Sequence, residues 1–254
     1  MESPTFHIRI SDAEKIGKYV LLPGDRGRVE RIAKYFENPV HVAKNREYFT
    51  ITGEISGERV SVMSTGMGGP CMAIAVEELR ALGVHTLIRV GSAGSLQKKL
   101  KMGEGVIVTG AVRDDGTSGS YVPEIYPAVA HHHVLRALEK AAAIVEHRCH
   151  MGIVLSTDSY YGARFNSETA KMIGLLKKAN TLCVEMESST LLTLGGVFGL
   201  RTGSILTIRE EIGEDETLKA QAGEVFEDGL EKCIQISIKT LELIIEKDRL
   251  FKFD

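Results

Sequence analysis

Short apolar, β-branched runs alternate along the chain with longer segments in which apolar residues recur at three- and four-residue spacing. The runs at 19–22, 59–64, 86–90, 105–109, 152–155 and 203–208 predict strands. Several are too apolar throughout to keep a solvent face, which places them in the middle of a sheet. Residues 71–82, 129–145, 167–178, 186–198 and 218–247 predict amphipathic helices. Strands alternating with helices predict an α/β fold with a mixed or mostly parallel sheet covered on both faces. Ligands of such sheets sit beyond the carboxyl ends of the strands, so the loops there are where chemistry belongs. The polar stretch 114–120, DDGTSGS, reads as a loop long enough to move.

Composition adds limits. A chain of 254 residues, 43% of them hydrophobic, can build one large core and predicts a single domain over residues 1–254. With 31 basic against 34 acidic residues, no overall field recruits nucleic acid or an anionic membrane, so any anion site must be local. Cys71, Cys149, Cys183 and Cys233 form no CxxC pair, which argues against a zinc ribbon or a disulfide framework and fits a reducing cytoplasm. The first residues lack a basic leader with a long apolar core, and no run approaches the roughly 20 apolar residues of a membrane span. Neither export nor a membrane partner is expected.

Three glycine-rich turns follow predicted strands: PGDRGR at 23–28, STGMGGP at 64–70 and RVGSAG at 89–94. The third glycine of a dinucleotide fingerprint starting at Gly66 would fall on Cys71, and no GxxxxGK[ST] is present. These glycines either make tight turns or bring backbone N–H groups against a ligand. Arg28 enters the helix after the first turn, Arg46 lies in KNRE at 44–47 between strand candidates, and Arg89 sits at a strand end beside Ser92. Taken singly, Arg28 and Arg46 read as solvated charges. Together, three guanidinium forks beside such turns suit a free oxyanion. Arg89, inside the apolar run LIRVG, needs a buried partner. Glu185 and Glu187 flank Met186 just before an apolar helix, where a carboxylate either complements the helix dipole or grips a vicinal diol. His131, His132 and His133 stand near a helix start, so their side chains should diverge into solvent without forming a metal site.

The segments PGDRGRVERIA, NREYFT, STGMGGPCMAIAVEELRALGVHTLIRVGSAG, VRDDGTSGSYVPEIYPAVA and VEMESSTLL resemble, in order and spacing, the hexameric nucleoside phosphorylase family of purine nucleoside and uridine enzymes. The closer likeness is to its uridine-cleaving members. The resemblance implies a three-layer α/β/α subunit with a central mixed sheet, dimers that share two active sites, and three dimers in a ring. It implies cleavage of a nucleoside by inorganic phosphate to a free base and ribose 1-phosphate, without an organic cofactor or catalytic metal. Carried over by position, Gly24, Arg28, Arg89 and Ser92 would hold phosphate, joined by Arg46 of the partner subunit. Glu187 would grip the ribose 2′- and 3′-hydroxyls, with Met186 beside the sugar and Glu185 nearby. His7 would reach across the dimer interface to the 5′-hydroxyl, and Tyr160 would stack on the base. The resemblance also allows a monovalent cation at the dimer interface near Glu47, where Cys71 occupies a neighbouring position.

Around the base the likeness weakens. The family's uridine enzymes read uracil through a glutamine and an arginine shortly after the aromatic residue. Here YGARF at 161–165 is shorter, with Ala163 where the glutamine belongs and Arg164 remaining. In TIREEI at 207–212, Glu210 stands nearest the aspartate acid of the purine enzymes, preceded by Arg209. For uracil, Arg164 or Arg209 would stabilise the departing enolate. For a purine, Glu210 would have to protonate N7. Uridine is the expected substrate, with a purine nucleoside as the alternative. A hydrolase would not need the three arginines together, and a non-catalytic nucleoside-binding protein should have lost part of a set that is intact here.

Overall fold

The computed structural model describes residues 5–212, 218–220 and 223–251. Its first elements are β1 (Tyr19–Pro23), α1 (Gly27–Ala33), β2 (Glu37–Asn45), β3 (Tyr48–Ile55), β4 (Glu58–Met63), α2 (Gly69–Ala81), β5 (Thr86–Ser95) and β6 (Gly105–Asp114). There follow α3 (Gly116–Gly119), β7 (Ala128–Val129), α4 (His132–Val145), β8 (Cys149–Thr157), α5 (Ser167–Lys178), β9 (Cys183–Glu185), α6 (Ser188–Phe198), β10 (Arg201–Ile212), β11 (Leu218–Ala220) and α7 (Glu224–Phe251).

The strands form one mixed sheet of 11. β1 runs parallel between β4 and β5, and β10 lies parallel to β5 on the other side. The carboxyl ends of these four strands therefore share one edge, and the turns after β1 and β4 meet there; residues 89–94, expected to turn, instead continue β5, held in register by β10. β10 also pairs antiparallel with β6, and the path β6–β8–β9 leads back to β5, so this part of the sheet closes on itself.

Alternate side chains of the parallel strands divide between two helical layers. Leu21, Ile88 and Ile205 pack with Val29 and Ile32 of α1, Leu138 of α4 and Ile234 and Leu241 of α7. Val20, Leu22 and Leu87 face the other way, onto Met72, Val76 and Leu79 of α2 and Leu191 and Leu194 of α6. Each fully buried side chain of this size contributes about 1.5–3 kcal/mol, which is what fixes the register. The result is the three-layer α/β/α arrangement with a central mixed sheet. A third cluster, with Val106, Val108, Val154, Leu192 and Leu206, fills the closed part. Residues Ser188 to Gly195 of α6 are all buried, as an all-round apolar and small-residue helix should be.

Several expectations change at element ends. The helix expected over 129–145 starts at His132, because Ala128 and Val129 pair with β6 and His131 caps the helix, its Nδ1 accepting from the His133 N–H at 3.3 Å. The three histidine rings do not diverge; their centroids lie 4.1, 4.7 and 5.2 Å apart, and burial pulls His131 down to about 4. Among the described residues no group of three or more His, Cys, Asp or Glu is placed to hold a metal. The helix expected over 218–247 begins only at Glu224, since 218–220 pair antiparallel with the end of β10. The helix expected over 186–198 starts at Ser188, with Glu187 at its N-cap. No described helix is long and apolar enough to cross a membrane.

The stretch 114–120 is fastened, contrary to its polar, glycine-rich reading. Asp115 accepts from the Ser118 N–H at 2.6 Å, from the Ser118 and Ser189 hydroxyls at 2.8 and 2.5 Å, and from Thr190 Oγ1 at 3.1 Å. Arg113 clamps the following turn through the carbonyls of Val122, Pro123 and Tyr126. Asp115 thus ties this segment to the first turn of α6, one residue beyond the buried carboxylates. Asp115→Ala should cost about 2–4 kcal/mol, because it leaves several hydroxyls without their acceptor. Thermal melting measures this, and an unchanged midpoint would refute the assignment.

Candidate active site

The site begins with strand order. Because β1 lies between β4 and β5, the turns that end them touch: Thr65 N–H donates to Pro23 O at 2.9 Å and Gly66 N–H to Gly24 O at 3.1 Å. A side chain at Gly24 would crowd this turn, since a Cβ there would lie 3.1 Å from Gly66 O, and it would stand 3.8 Å from Arg89 Nη1. Arg28, in the first turn of α1, reaches back to β5, donating to Val90 O at 3.2 Å and Ser92 Oγ at 3.3 Å. Gly24, Arg28, Arg89 and Ser92 are thereby gathered at one edge of the sheet.

Two donors in this group are unspent. Among the described residues, Arg28 Nε and Arg89 Nη1 are buried without a hydrogen-bond partner. Burial and the neighbouring Arg89 charge pull Arg28 down to about 10. Two buried guanidiniums with free N–H groups are a costly arrangement that an anion of phosphate geometry relieves.

Arg89 has the buried partners its sequence context demanded. Its Nε donates to Glu185 Oε2 at 2.9 Å and its Nη2 pairs with Glu187 Oε2. Glu185 also accepts from Ser156 Oγ and from the N–H groups of Glu187 and Ser188, at 3.0 Å each. Its acceptors are turned onto the protein, and its side chain is only 1% exposed. Glu185, expected near the sugar, instead fixes Arg89 and the start of α6. Glu187 makes no side-chain cap bond to the helix; its Oε1 accepts from the Gly68 N–H at 2.5 Å across the glycine loop. Burial pushes the Glu187 carboxyl above the usual range, against the pull of Arg89. The helix-start role in the VEME segment thus falls to Glu185, while Glu187 is buried between Arg89 and the Gly68 N–H. Met186, between them, is half-buried.

His7 and Arg46 are linked through Asn45. Arg46 is exposed in the β2–β3 turn at a φ of 51°, and its carbonyl accepts from Arg26 Nη1 at 2.9 Å. Asn45 Nδ2 donates to His7 O at 2.7 Å, and Glu78 accepts the N–H groups of Phe6, His7 and Ile8 at 2.8–3.1 Å. Among the described residues, neither side chain hydrogen-bonds Arg28, Arg89, Ser92 or Glu187 of its own chain.

On the far rim, Tyr160 is half-exposed and donates its hydroxyl to Glu210 Oε1 at 2.5 Å. A bulge between Ile208 and Glu210 sets Glu210 opposite Gly94 of β5. Arg209 is exposed and stacks over Phe226, 5.3 Å from the ring centroid, while Arg164 lies 4.8 Å over Tyr161. The Ala163 side chain lies outside the described residues. Sequence reading missed Ser156, the Gly68 N–H and Asp115, which act through partners far along the chain.

The Phosphorylase superfamily matches residues 18–244. A uridine phosphorylase of Treponema pallidum is 42% identical over 250 residues, covering 96% of this chain and 95% of that protein. A guanosine phosphorylase of Halorubrum lacusprofundi is 33% identical over 243 residues, with 92% and 97% covered. The crystal structure of a uridine phosphorylase from Vibrio fischeri superposes with a TM-score of 0.85 at 31% identity, covering 95% of this chain and 98% of that one. With the family matched over most of its length and the fold shared, this protein belongs to the Phosphorylase superfamily.

Proposed function

We propose that this protein is a uridine phosphorylase, converting uridine and inorganic phosphate to uracil and ribose 1-phosphate. The observation that carries the reading is the buried pair Arg28 and Arg89, each with an unspent donor, beside Ser92 and the Gly24 turn. The uridine phosphorylases among its relatives and structural neighbours support the choice of base.

Glycosidic cleavage passes through an oxocarbenium-like sugar, with negative charge growing on the base. Phosphate fixed by Arg28, Arg89, Ser92 and the Gly24 backbone is both nucleophile and counter-charge, and fixing it converts an encounter into a positioned attack. Glu187, beside it, accepts from the ribose 2′- and 3′-hydroxyls, with Met186 against the sugar. Arg46 and His7 of the partner subunit complete the phosphate and the 5′-hydroxyl contacts, within a trimer of dimers. Arg209 or Arg164 stabilises the departing uracil. Cys71 Sγ donates to Glu47 Oε1 at 3.5 Å, and burial and this bond push the thiol up to about 11. A neutral thiol is a poor ligand for a hard monovalent cation, so of this pair only the Glu47 carboxylate suits one.

Uridine turnover should require phosphate and leave ribose 1-phosphate, followed by uracil absorbance and sugar-phosphate analysis. Equal rates in phosphate-free buffer would make the enzyme a hydrolase. The second reading, a purine nucleoside substrate, is favoured by Glu210 on the base rim and by the guanosine phosphorylase relative. A clear excess of kcat/KM for inosine over uridine on the same preparation would establish it.

A further inference from the structure

We infer that Glu210 is a specificity-determining residue that accepts a ring N–H of the base, so that the site selects uracil, with its N3–H between two carbonyls, over cytosine. This rests on the phosphorolysis proposed above.

Position is the first ground. β5 and β10 run parallel, and Glu210 is set opposite Gly94, two residues beyond Ser92. At strand rise this is roughly 7 Å along the sheet from the phosphate-holding hydroxyl, the separation at which a ribose places its base from a phosphate under C1′. The bulge at Ile208 and Glu210 breaks the strand's alternation there, and such bulges commonly re-aim a side chain. The carboxylate lies against β5 here, since a Cβ at Gly94 would stand 3.4 Å from Glu210 Oε2.

Chemistry is the second. Tyr160 Oη donates to Glu210 Oε1 and orients the carboxylate, and burial and this bond push the phenol up to about 12, so it remains the donor. Among the described residues, Oε2 has no hydrogen bond or ion pair. A carboxylate only accepts, so its partner must bring a donor hydrogen, which on a base edge is an N–H. Uracil N3–H does so, whereas the N3 lone pair of cytosine would face the carboxylate lone pairs. The glutamine absent from YGARF would have presented an amide to the same edge; a carboxylate reached from β10 supplies the acceptor half of that contact. Its charge opposes the charge growing on the leaving base. Arg209, whose positive charge acts on both Tyr160 and Arg28, lies on the same rim to offset it.

The test compares kcat/KM for uridine, cytidine and 3-methyluridine in the wild-type, Glu210→Gln and Glu210→Ala enzymes. Wild type should prefer uridine to both others by about 100-fold or more. Glu210→Ala should lose about 10- to 100-fold on uridine and little on 3-methyluridine, which never had the N–H to give. Glu210→Gln can turn its NH2 toward the cytosine ring nitrogen, so its uridine-to-cytidine ratio should narrow by about 10-fold or more. Wild type cleaving uridine and 3-methyluridine alike, or both variants keeping the wild-type uridine-to-cytidine ratio, overturns the inference while leaving phosphorolysis standing. No phosphate-dependent cleavage of uridine at all would instead bring down the functional reading, and this inference with it.

Discussion

Arg89→Met should lower kcat/KM by about 10³-fold or more, with most of the loss in phosphate KM, and should also destabilise the fold. Arg89 does two jobs at once. Its unspent Nη1 lies beside Gly24, where phosphate is proposed to bind, while its other nitrogens neutralise Glu185 and Glu187, whose side chains are 1% and 5% exposed. Methionine keeps much of the volume but leaves two carboxylates buried together, and removing one partner of such a cluster costs about 3–5 kcal/mol. In a chain of this size that is a fall in Tm of about 6–20 °C. The sign with pH follows from linkage. A carboxyl held above its unfolded value binds more protons in the folded state, so stability declines as pH rises from the unfolded value through the raised one. Glu187 already behaves this way in the wild type, burial prevailing over the pull of Arg89, and loss of Arg89 enlarges the effect. The variant should therefore melt higher at pH 5 than at pH 8. Arg89→Lys restores charge without the fork, so it should recover much of the Tm but little of the phosphate affinity. A phosphate KM unmoved in both variants would remove Arg89 from the anion site.

What could be read in the chain, and what could not, separates by distance along it. Residues 19–22, 86–90 and 203–208 announce themselves because a strand buried on both faces shows no apolar–polar alternation, and they lie within β1, β5 and β10. β2 is mostly exposed and carries no such signal; only the polar turn at 44–47 marks where it ends. The start of α7 was placed too early because residues 218–220 take strand geometry from β10, a pairing that periodicity does not encode. The site shows the same division. Arg89 could be assigned a buried partner from its apolar neighbours, but which carboxylate holds the helix start and which bridges to the glycine loop depends on contacts made 96 and 119 residues away, to Arg89 and to the Gly68 N–H. The fastening of 114–120 was hidden for the same reason: Asp115 meets Ser189 and Thr190, 74 and 75 residues on.

Mixing an inactive Arg46→Ala protein with an inactive Glu187→Ala protein should restore activity once subunits exchange. The ground is that Glu187 is buried against Arg89, while Arg46 is exposed on a turn tied through Asn45 to His7 and, among the described residues, makes no hydrogen bond to Glu187 of its own chain. If Arg46 serves the neighbour's site, each mixed dimer holds one site with both residues intact and one with neither. Random exchange then makes half the dimers mixed, and about a quarter of all sites should work. A matched control isolates the geometry. His7 and Arg46 are linked through Asn45, so mixing His7→Ala with Arg46→Ala leaves every site of every mixed dimer short of one group, and the mixture should do no better than the average of its parents. Recovery in the first mixture and none in the second establishes a site built by two chains. No recovery in the first, with exchange demonstrated by differently tagged subunits, would return Arg46 to the role of a solvated surface charge.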